Sequence, residues 1–384
     1  DTGLRSTIFG DDWCWLVPTD FNALLRMHSQ FDASTSTSTF AAVAALSLEG
    51  ALQKYAQAHV QESSVDEGNE RFRSTIEFPV FLLHVLKVKN GQGDENEGQL
   101  DDKHLIASFT NAMPTDHEAQ WVRDFAFTLL KCRNLFDAFI LKRQFTTSTD
   151  SEEGDWSLQR LKKNTSSATP GYVHTFRTDT ATDEPDTATH DALLLQSMLR
   201  ITYTSPRTMH WMTQTLHWLA QQPRPQDIQS ADLAHLLKNF ARAKVASAFL
   251  DAEEQPRGFG IARIVFTYLD YLLLDEKAKR NFKFQFRNSI EHFYPQNPDQ
   301  AQSGASVSPE KLHLLGNLAL VSVSANSKFS NSLPKAKAEN FQHTMETQSP
   351  KLQRMAETTR SKGWDDEQVQ WHHAEMVALL QGSL

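Results

Sequence analysis

The stretch "SIEHFYPQNP", residues 289–298, sets a carboxylate beside an imidazole shortly before a proline. Glu291 and His292 are adjacent, and Pro295 lies three residues after the histidine. A proline cannot donate to a strand ladder, and it restricts the residue before it, so a strand is predicted to end here. Because adjacent strand residues point to opposite faces, Glu291 and His292 can converge only where the strand ends or twists.

The flanking sequence predicts a strand, a loop, a second strand and a helix. "FKFQF", residues 282–286, alternates aromatic and polar side chains with the period of a strand. "LLGNLALVSVSANSKFSN", residues 314–331, holds a short β-rich run, and helical patterning returns beyond Ala325. This order places Asn326 in the first turn of a helix and Asn317 just before the second strand.

These polar residues are of the types that hydrolysis of a phosphodiester requires. A neutral imidazole such as that of His292 can remove a proton from water, and Mg²⁺ can stabilise the charge that develops on phosphate. Asn317 could hydrogen-bond the backbone and fix the loop that holds His292, while the amide oxygen of Asn326 could face the strand pair. A Glu-His pair alone is common in proteins. The ordered set E-H-x-x-P, G-N-L and N-S-K is a far more specific indication of such a catalytic site. A histidine that merely ends a strand is the alternative interpretation.

The rest of the chain is predicted to be mainly helical. Helical spacing of apolar residues is found in seven stretches: 39–61, 76–88, 117–143, 191–203, 206–222, 232–250 and 261–280. Two polar, Thr-rich and acidic segments, 146–156 and 178–191, indicate a boundary region. We therefore expect a mainly α fold with a small C-terminal α+β domain, divided into a helical domain (1–150), a second helical region (151–275) and a C-terminal domain (276–384).

Composition narrows the class of protein. The chain has 384 residues, enough for two or three domains, and its 40% hydrophobic content is ordinary for a soluble globular protein. No apolar run is long enough to span a membrane, and residues 1–10 lack the pattern of a signal peptide. Two widely separated cysteines, Cys14 and Cys132, fit a reduced, cytoplasmic protein. The missing initial Met indicates a processed or truncated chain.

The charge of the chain is unevenly spread. The formal net charge is −9, which argues against general affinity for nucleic acid. Between residues 277 and 337, however, nine Lys and Arg stand against three Asp and Glu, a local balance of +6. Arg287, Lys328, Lys335 and Lys337 flank "SIEHFYP" and are the predicted phosphate contacts. For any one of them, an ordinary solvated surface side chain is the other interpretation.

The segment 282–380 resembles the HNH, or ββα-metal, nuclease domain of GmrSD-type modification-dependent restriction enzymes. The matching pieces are "IEHFYPQNP", "LLGNLALVSVSANSKFSN", "LPKAK" and "GWDDEQVQWHHAEMVALL". The resemblance implies that His292 is the general base, that Glu291 and Asn326 bind Mg²⁺ or Mn²⁺, and that Asn317 orders the catalytic loop. It also implies a metal-dependent DNA endonuclease of an anti-phage restriction system, acting on foreign or modified DNA.

The chain departs from that family at one point. Those enzymes usually begin with a ParB-like, nucleotide-hydrolysing domain marked by Asp-Gly-Gln-Gln-Arg, and this sequence contains no such motif. We therefore expect no NTP hydrolysis by this chain, and we expect it to be the C-terminal part of a longer protein or a split subunit with a nucleotide-hydrolysing partner. Homo-oligomerisation is left open. The alternative function is a catalytically inactive subunit that binds DNA or a partner within a defence complex.

Overall fold

A computed structural model describes residues 72–91, 100–145, 154–162, 171–176, 185–224, 227–298 and 306–383. Helices predominate in these ranges, so the prediction of a mainly α fold is confirmed. The helix expected at 39–61 and Cys14 lie outside the described residues. Within the described ranges, no helix is both long and apolar enough to cross a membrane.

The described residues between 72 and 176 combine three α-helices with short strands. The elements in chain order are β1 (Phe72–Arg73), α1 (Phe78–Lys89), α2 (Leu105–Ala112), α3 (Glu118–Phe139), β2 (Lys142–Gln144), β3 (Asp155–Ser157), β4 (Gln159–Lys162) and β5 (Gly171–His174). Strand β2 pairs antiparallel with both β1 and β3, and β4 pairs antiparallel with β5. Helix α3 ends at Phe139 rather than at 143 as predicted, because residues 142–144 join this sheet instead.

Five α-helices follow within the described residues 185–281. They are α4 (Thr187–Thr202), α5 (His210–Gln221), α6 (Ser230–Val245), α7 (Arg263–Leu272) and α8 (Glu276–Asn281). Helix α4 begins at a capping aspartate, since Asp186 accepts a hydrogen bond from the backbone N–H of Thr189 at 2.7 Å. Helix α7 is buried from Ile264 to Tyr271, so it is surrounded by other elements rather than lying on the surface.

The C-terminal elements contain the predicted order of strand, strand and helix. They are β6 (Ser289–His292), α9 (Pro309–Leu312), β7 (Leu318–Val321), α10 (Val323–Phe329), α11 (Pro334–Asn340), α12 (Gln342–Gln348), α13 (Pro350–Lys362) and α14 (Asp366–Ser383). The alternating stretch 282–286 forms no strand. Phe284 is buried in the core, and its carbonyl accepts a hydrogen bond from the Trp156 indole at 2.8 Å. The Trp156 side chain therefore supplies the hydrogen bond that a neighbouring strand would otherwise give to the Phe284 carbonyl.

Two hydrophobic clusters hold these elements together. The larger one extends from Phe81 in α1 to Leu380 in α14 and includes side chains on both sides of residue 275. The smaller one lies beneath β6, β7 and α10 and includes Phe293, Phe329 and Trp364. The strand pair that contains His292 is therefore supported by the upstream helices as well as by its own neighbours.

Candidate functional site

The candidate site lies at the end of strand β6. Strands β6 and β7 are antiparallel, with Glu291 opposite Ala319 and His292 opposite Leu318. One further ladder-like hydrogen bond runs from the Phe293 N–H to the Asn317 carbonyl at 2.9 Å. Glu291 and His292 are therefore the last residues of the strand, where the chain turns towards Pro295.

The Asn317 side chain fixes the backbone that follows His292. Its Oδ1 accepts from the Tyr294 N–H at 2.9 Å and from the Trp364 indole N–H at 3.1 Å. Its Nδ2 donates to the carbonyls of Tyr294 at 3.1 Å and Leu312 at 3.0 Å. Asn317 is fully buried, and every donor and acceptor site of its amide is used. Its position suits it to hold the loop rather than to contact a substrate.

Glu291 forms a buried ion pair with Lys337 of helix α11. The Lys337 ammonium lies 2.6 Å from Glu291 Oε1 and donates as well to the carbonyls of His292 and Phe293, each at 2.9 Å. Lys337 has no exposed surface, and Glu291 is 5% exposed. Burial raises the pKa of Glu291 and lowers the pKa of Lys337, and the ion pair opposes both changes. All three protons of the ammonium are therefore used to hold the end of β6.

His292 points towards a different group of side chains. Its Nε2 lies 3.0 Å from Nδ1 of His313, and the amide nitrogen of Gln296 lies 3.3 Å from its Nδ1 and 3.2 Å from its Nε2. The ring of Phe259 packs against the imidazole with centroids 5.6 Å apart. Four side chains from three parts of the chain thus meet at this point.

The contacts of His292 are compatible with two tautomers. The Gln296 amide nitrogen is a donor and lies 3.2 Å from Nε2 and 3.3 Å from Nδ1, so it can donate to either ring nitrogen. With its proton on Nε2, His292 donates to Nδ1 of His313; in the other tautomer it accepts from it. Burial, followed by the positive charges that His313 and Lys337 can hold, lowers the pKa of His292 to about 4. The imidazole is therefore neutral at neutral pH, with a lone pair on one of its two ring nitrogens.

Asn326 lies on the helix that follows the strand pair. Helix α10 begins at Ser322, whose hydroxyl accepts from the Ala325 N–H at 3.2 Å. Its buried face, Ala325 and Phe329, packs into the smaller hydrophobic cluster, and the helix packs against β6. Asn326 is half-buried, and within the described ranges no hydrogen bond reaches its side-chain amide. Its amide oxygen is therefore available to a ligand.

Residues 241–379 match one known family model, described as "GmrSD restriction endonucleases, C-terminal domain". This segment carries a GmrSD-type C-terminal domain. The resemblance of this segment to GmrSD-type restriction enzymes is confirmed, and the match begins upstream of 282, within helix α6. No curated protein matches the chain. No solved structure matches it either.

Of the four basic residues predicted to contact phosphate, all in the GmrSD-type segment, two are exposed and two are buried. Lys328 and Lys335 are exposed. Arg287 is 2% exposed; its guanidinium donates to Asp270 Oδ2 at 2.8 Å and to the Gln348 carbonyl. Lys337 is buried against Glu291. Only Lys328 and Lys335 of these four present their charge to solvent in this fold.

Three residues of the GmrSD-type segment were not among the predicted site residues, although they contact His292. His313 lies in a loop 21 positions from His292, and no sequence pattern connects the two. Gln296 follows His292 by only four positions, but its residue type gave no reason to select it. Phe259 did carry a signal, because the glycines on either side of it in "RGFGIAR" mark a tight turn that exposes the side chain between them. That signal indicates a shape and not a function.

Proposed function

We propose that the GmrSD-type segment is an HNH nuclease domain that hydrolyses phosphodiester bonds of DNA with a divalent metal, as part of the restriction of foreign or modified DNA. The observation that carries the proposal is a neutral histidine, His292, at the end of a strand within a segment matched to restriction endonucleases. Its ring contacts His313, and its backbone carbonyl accepts from Lys337. The order β6, β7, α10 supports the ββα form of the domain. The proposed nuclease domain covers 276–384, with helical regions at 1–150 and 151–275.

In the proposed reaction, Nδ1 of His292 takes a proton from water, and the water oxygen attacks phosphorus. The bond from phosphorus to the leaving oxygen breaks, and solvent protonates that oxygen. The attacking water would take the position of the Gln296 amide nitrogen, which lies 3.3 Å from Nδ1. Gln296 is exposed, so water can replace it without disturbing the core. In this proposal the proton of His292 lies on Nε2 and is donated to Nδ1 of His313, which thereby acts as a positioning residue.

We take Glu291 and Asn326, on the packed elements β6 and α10, as the ligands of a hard, oxygen-bound metal. Among the described residues, no hydrogen bond reaches Glu291 Oε2 or the Asn326 amide, and both offer oxygen. Mg²⁺ or Mn²⁺ needs few protein oxygens when water and phosphate complete its shell. The described ranges bring no three His, Cys, Asp or Glu side chains together, so they do not form a zinc-type cluster. Glu291 and Asn326 would hold the ion, which would stabilise charge on the phosphate.

The broader context of the proposal follows from the restriction endonuclease family. The substrate would be DNA in the cytoplasm, with modified phage DNA as the target. A nucleotide-hydrolysing half, on the same polypeptide or on a partner subunit, would supply the NTPase activity that is expected to be absent from this chain. Lys328 and Lys335 are retained as proposed DNA contacts because they are exposed.

Cleavage of plasmid DNA tests the proposal. Supercoiled plasmid, modified or unmodified, is incubated with the protein in Mg²⁺, in Mn²⁺ or in EDTA. Conversion to nicked or linear DNA that requires metal and is reduced about 10²–10⁴-fold by His292→Ala would support the mechanism. Asn326→Ala should raise the metal concentration needed for half-maximal cleavage. Cleavage by His292→Ala at the wild-type rate would contradict the assignment of the base.

A DNA-binding subunit without hydrolysis is the second candidate. The Glu291–Lys337 pair favours it, because the ammonium already neutralises the carboxylate beside His292. Under this alternative, DNA affinity would be present while cleavage is absent in every metal and with every substrate. Metal-dependent cleavage that is lost in His292→Ala would exclude it.

A further inference from the structure

Phe259 is a large apolar side chain that stands in solvent beside the candidate base. It is 70% exposed, and its ring packs at an interplanar angle of 70° to the imidazole of His292. Single exposed apolar residues are common on protein surfaces and need no function. Phe259 differs because one part of its ring touches the proposed catalytic residue and the rest is uncovered.

The backbone around Phe259 is fixed rather than loose. Gly258–Gly260 form a 3₁₀ turn in which Gly258 adopts a φ of +56°. The Gly258 N–H donates to the His313 carbonyl at 2.8 Å, and the Gly260 N–H donates to the Arg257 carbonyl at 3.0 Å. Ile261 anchors the turn in the core. The turn that exposes Phe259 is therefore bonded to the residue that positions His292.

The close approach of this turn to His313 requires a glycine. A Cβ built on Gly258 would lie 3.3 Å from Nδ1 of His313, the atom that bonds His292. A side chain at this position would therefore push against the histidine pair, and it would also be strained at a positive φ. Phe259, His313 and His292 are therefore linked by direct contacts around this one turn.

We infer that Phe259 stacks on the nucleobase next to the scissile phosphate, and that the preferred DNA is unpaired or kinked at the cut. The inference rests on the proposed nuclease function, because that function brings a phosphate to His292. An adjacent aromatic ring can then meet the flat face of a base, which all four bases share. In a continuous duplex those faces are covered by neighbouring bases, so Phe259 can stack only where the DNA is unpaired, open or kinked. Arg257, exposed at the same turn, adds positive charge.

Binding measurements without metal test the inference independently of cleavage. Short single-stranded DNA, with 2-aminopurine placed in turn at successive positions, and the matching duplex are titrated in EDTA with wild type, Phe259→Leu, Phe259→Trp and Phe259→Ala. Loss of base stacking should weaken single-strand binding about fivefold to 150-fold in the Leu and Ala variants, while Trp retains it. The 2-aminopurine emission, quenched by stacking, should rise in the same two variants.

Phe78 provides a matched control. It is 57% exposed on helix α1, outside the GmrSD-type segment, so Phe78→Leu should bind like wild type. If Phe259→Leu binds single strands as tightly as wild type, or if wild type binds no DNA at all, the inference is overturned. If Phe259 governs binding as expected but no metal supports cleavage, the nuclease proposal fails while the stacking contact stands.

Discussion

The ammonium of Lys337 lies 2.6 Å from Oε1 of Glu291 and also bonds the carbonyls of His292 and Phe293. A single buried cation thus holds the carboxylate and the backbone at the end of β6. This gives Lys337 a structural task in place of the DNA contact predicted for it. The charge pattern of the sequence located a basic residue near the site, but the fold turns that residue inward.

Removing the Lys337 charge should destabilise the fold. Lys337→Met leaves the Glu291 carboxylate buried without a counter-charge, so the free energy of unfolding should fall by about 3–5 kcal/mol in urea titrations. The double variant Lys337→Met/Glu291→Gln should recover part of this loss, because the unpaired charge is gone. Lys335→Met, two residues away and exposed, should change stability by less than about 0.5 kcal/mol. Unchanged stability of Lys337→Met together with weaker DNA binding would restore the original prediction.

His313 should act through the proton on His292. His313→Leu removes the acceptor for Nε2–H and should lower the cleavage rate about 10- to 100-fold, as loss of an orienting partner does at other sites. His313→Asn offers an amide oxygen near the position of Nδ1 and should restore most of the rate. Equal rates in the Leu and Asn variants, with unfolding unchanged, would show that His313 does not position the base.

Lys328 and Lys335 should contribute to DNA affinity through phosphate. The double variant Lys328→Ala/Lys335→Ala should weaken binding to all sequences similarly and reduce the slope of log affinity against log salt by about two units, one for each contact. Lys103→Ala, an exposed lysine near the start of helix α2, serves as control and should leave the slope unchanged. An unaltered slope in the double variant would place the DNA-binding surface elsewhere on the molecule.

Stability should fall as the pH is lowered from about 6.5. Burial lowers the pKa of His84 to about 3 and the pKa values of His292 and His372 to about 4. The unfolded chain, with ordinary histidines, binds more protons than the folded chain between pH 6.5 and 4, so stability is lost as the pH falls through this range.

Replacing one buried histidine should reduce this dependence on pH. His84→Gln removes one site of proton uptake on unfolding, so the difference in unfolding free energy between pH 7 and pH 5 should shrink. His343→Gln is the control, since His343 is exposed and its replacement should leave that difference as in wild type. Guanidinium titrations at the two pH values measure both. An equal difference in His84→Gln and wild type would contradict a buried, neutral His84.

Gly316 should tolerate no side chain. A Cβ there would lie 2.7 Å from the backbone nitrogen of His373 and closer still to the carbonyl oxygen of Val369, both in helix α14. Gly316→Ala should therefore force the helix away from the turn at Leu315–Asn317 and lower the melting temperature by several degrees. Gly382→Ala, where nothing lies within 4 Å of the added carbon, should not. Equal melting temperatures for the two variants would mean that the helix shifts at little cost.

Local patterns predicted the framework of the site better than its contacts. The strand end before Pro295, the β-rich run at 318–323 and the helix predicted near Ala325 are all short-range features. The structure has β6 ending at His292, β7 at Leu318–Val321 and α10 beginning two residues earlier than predicted, at Val323. The aromatic alternation at 282–286 predicted a strand that does not form, because the Phe284 carbonyl bonds Trp156, a residue far away in the sequence. Long-range partners leave no local trace: Lys337 is 46 positions from Glu291 and 21 positions separate His313 from His292.

The packing of helix α14 has a consequence for synthesis on the ribosome. Met376 and Leu380 complete the larger hydrophobic cluster, and Val369 and His373 cover the turn that contains Asn317. While residues 366–383 are still inside the exit tunnel, the nascent chain lacks the helix that supports the loop holding His292. For a protein proposed to cut DNA, activity would begin only after this helix has emerged and docked.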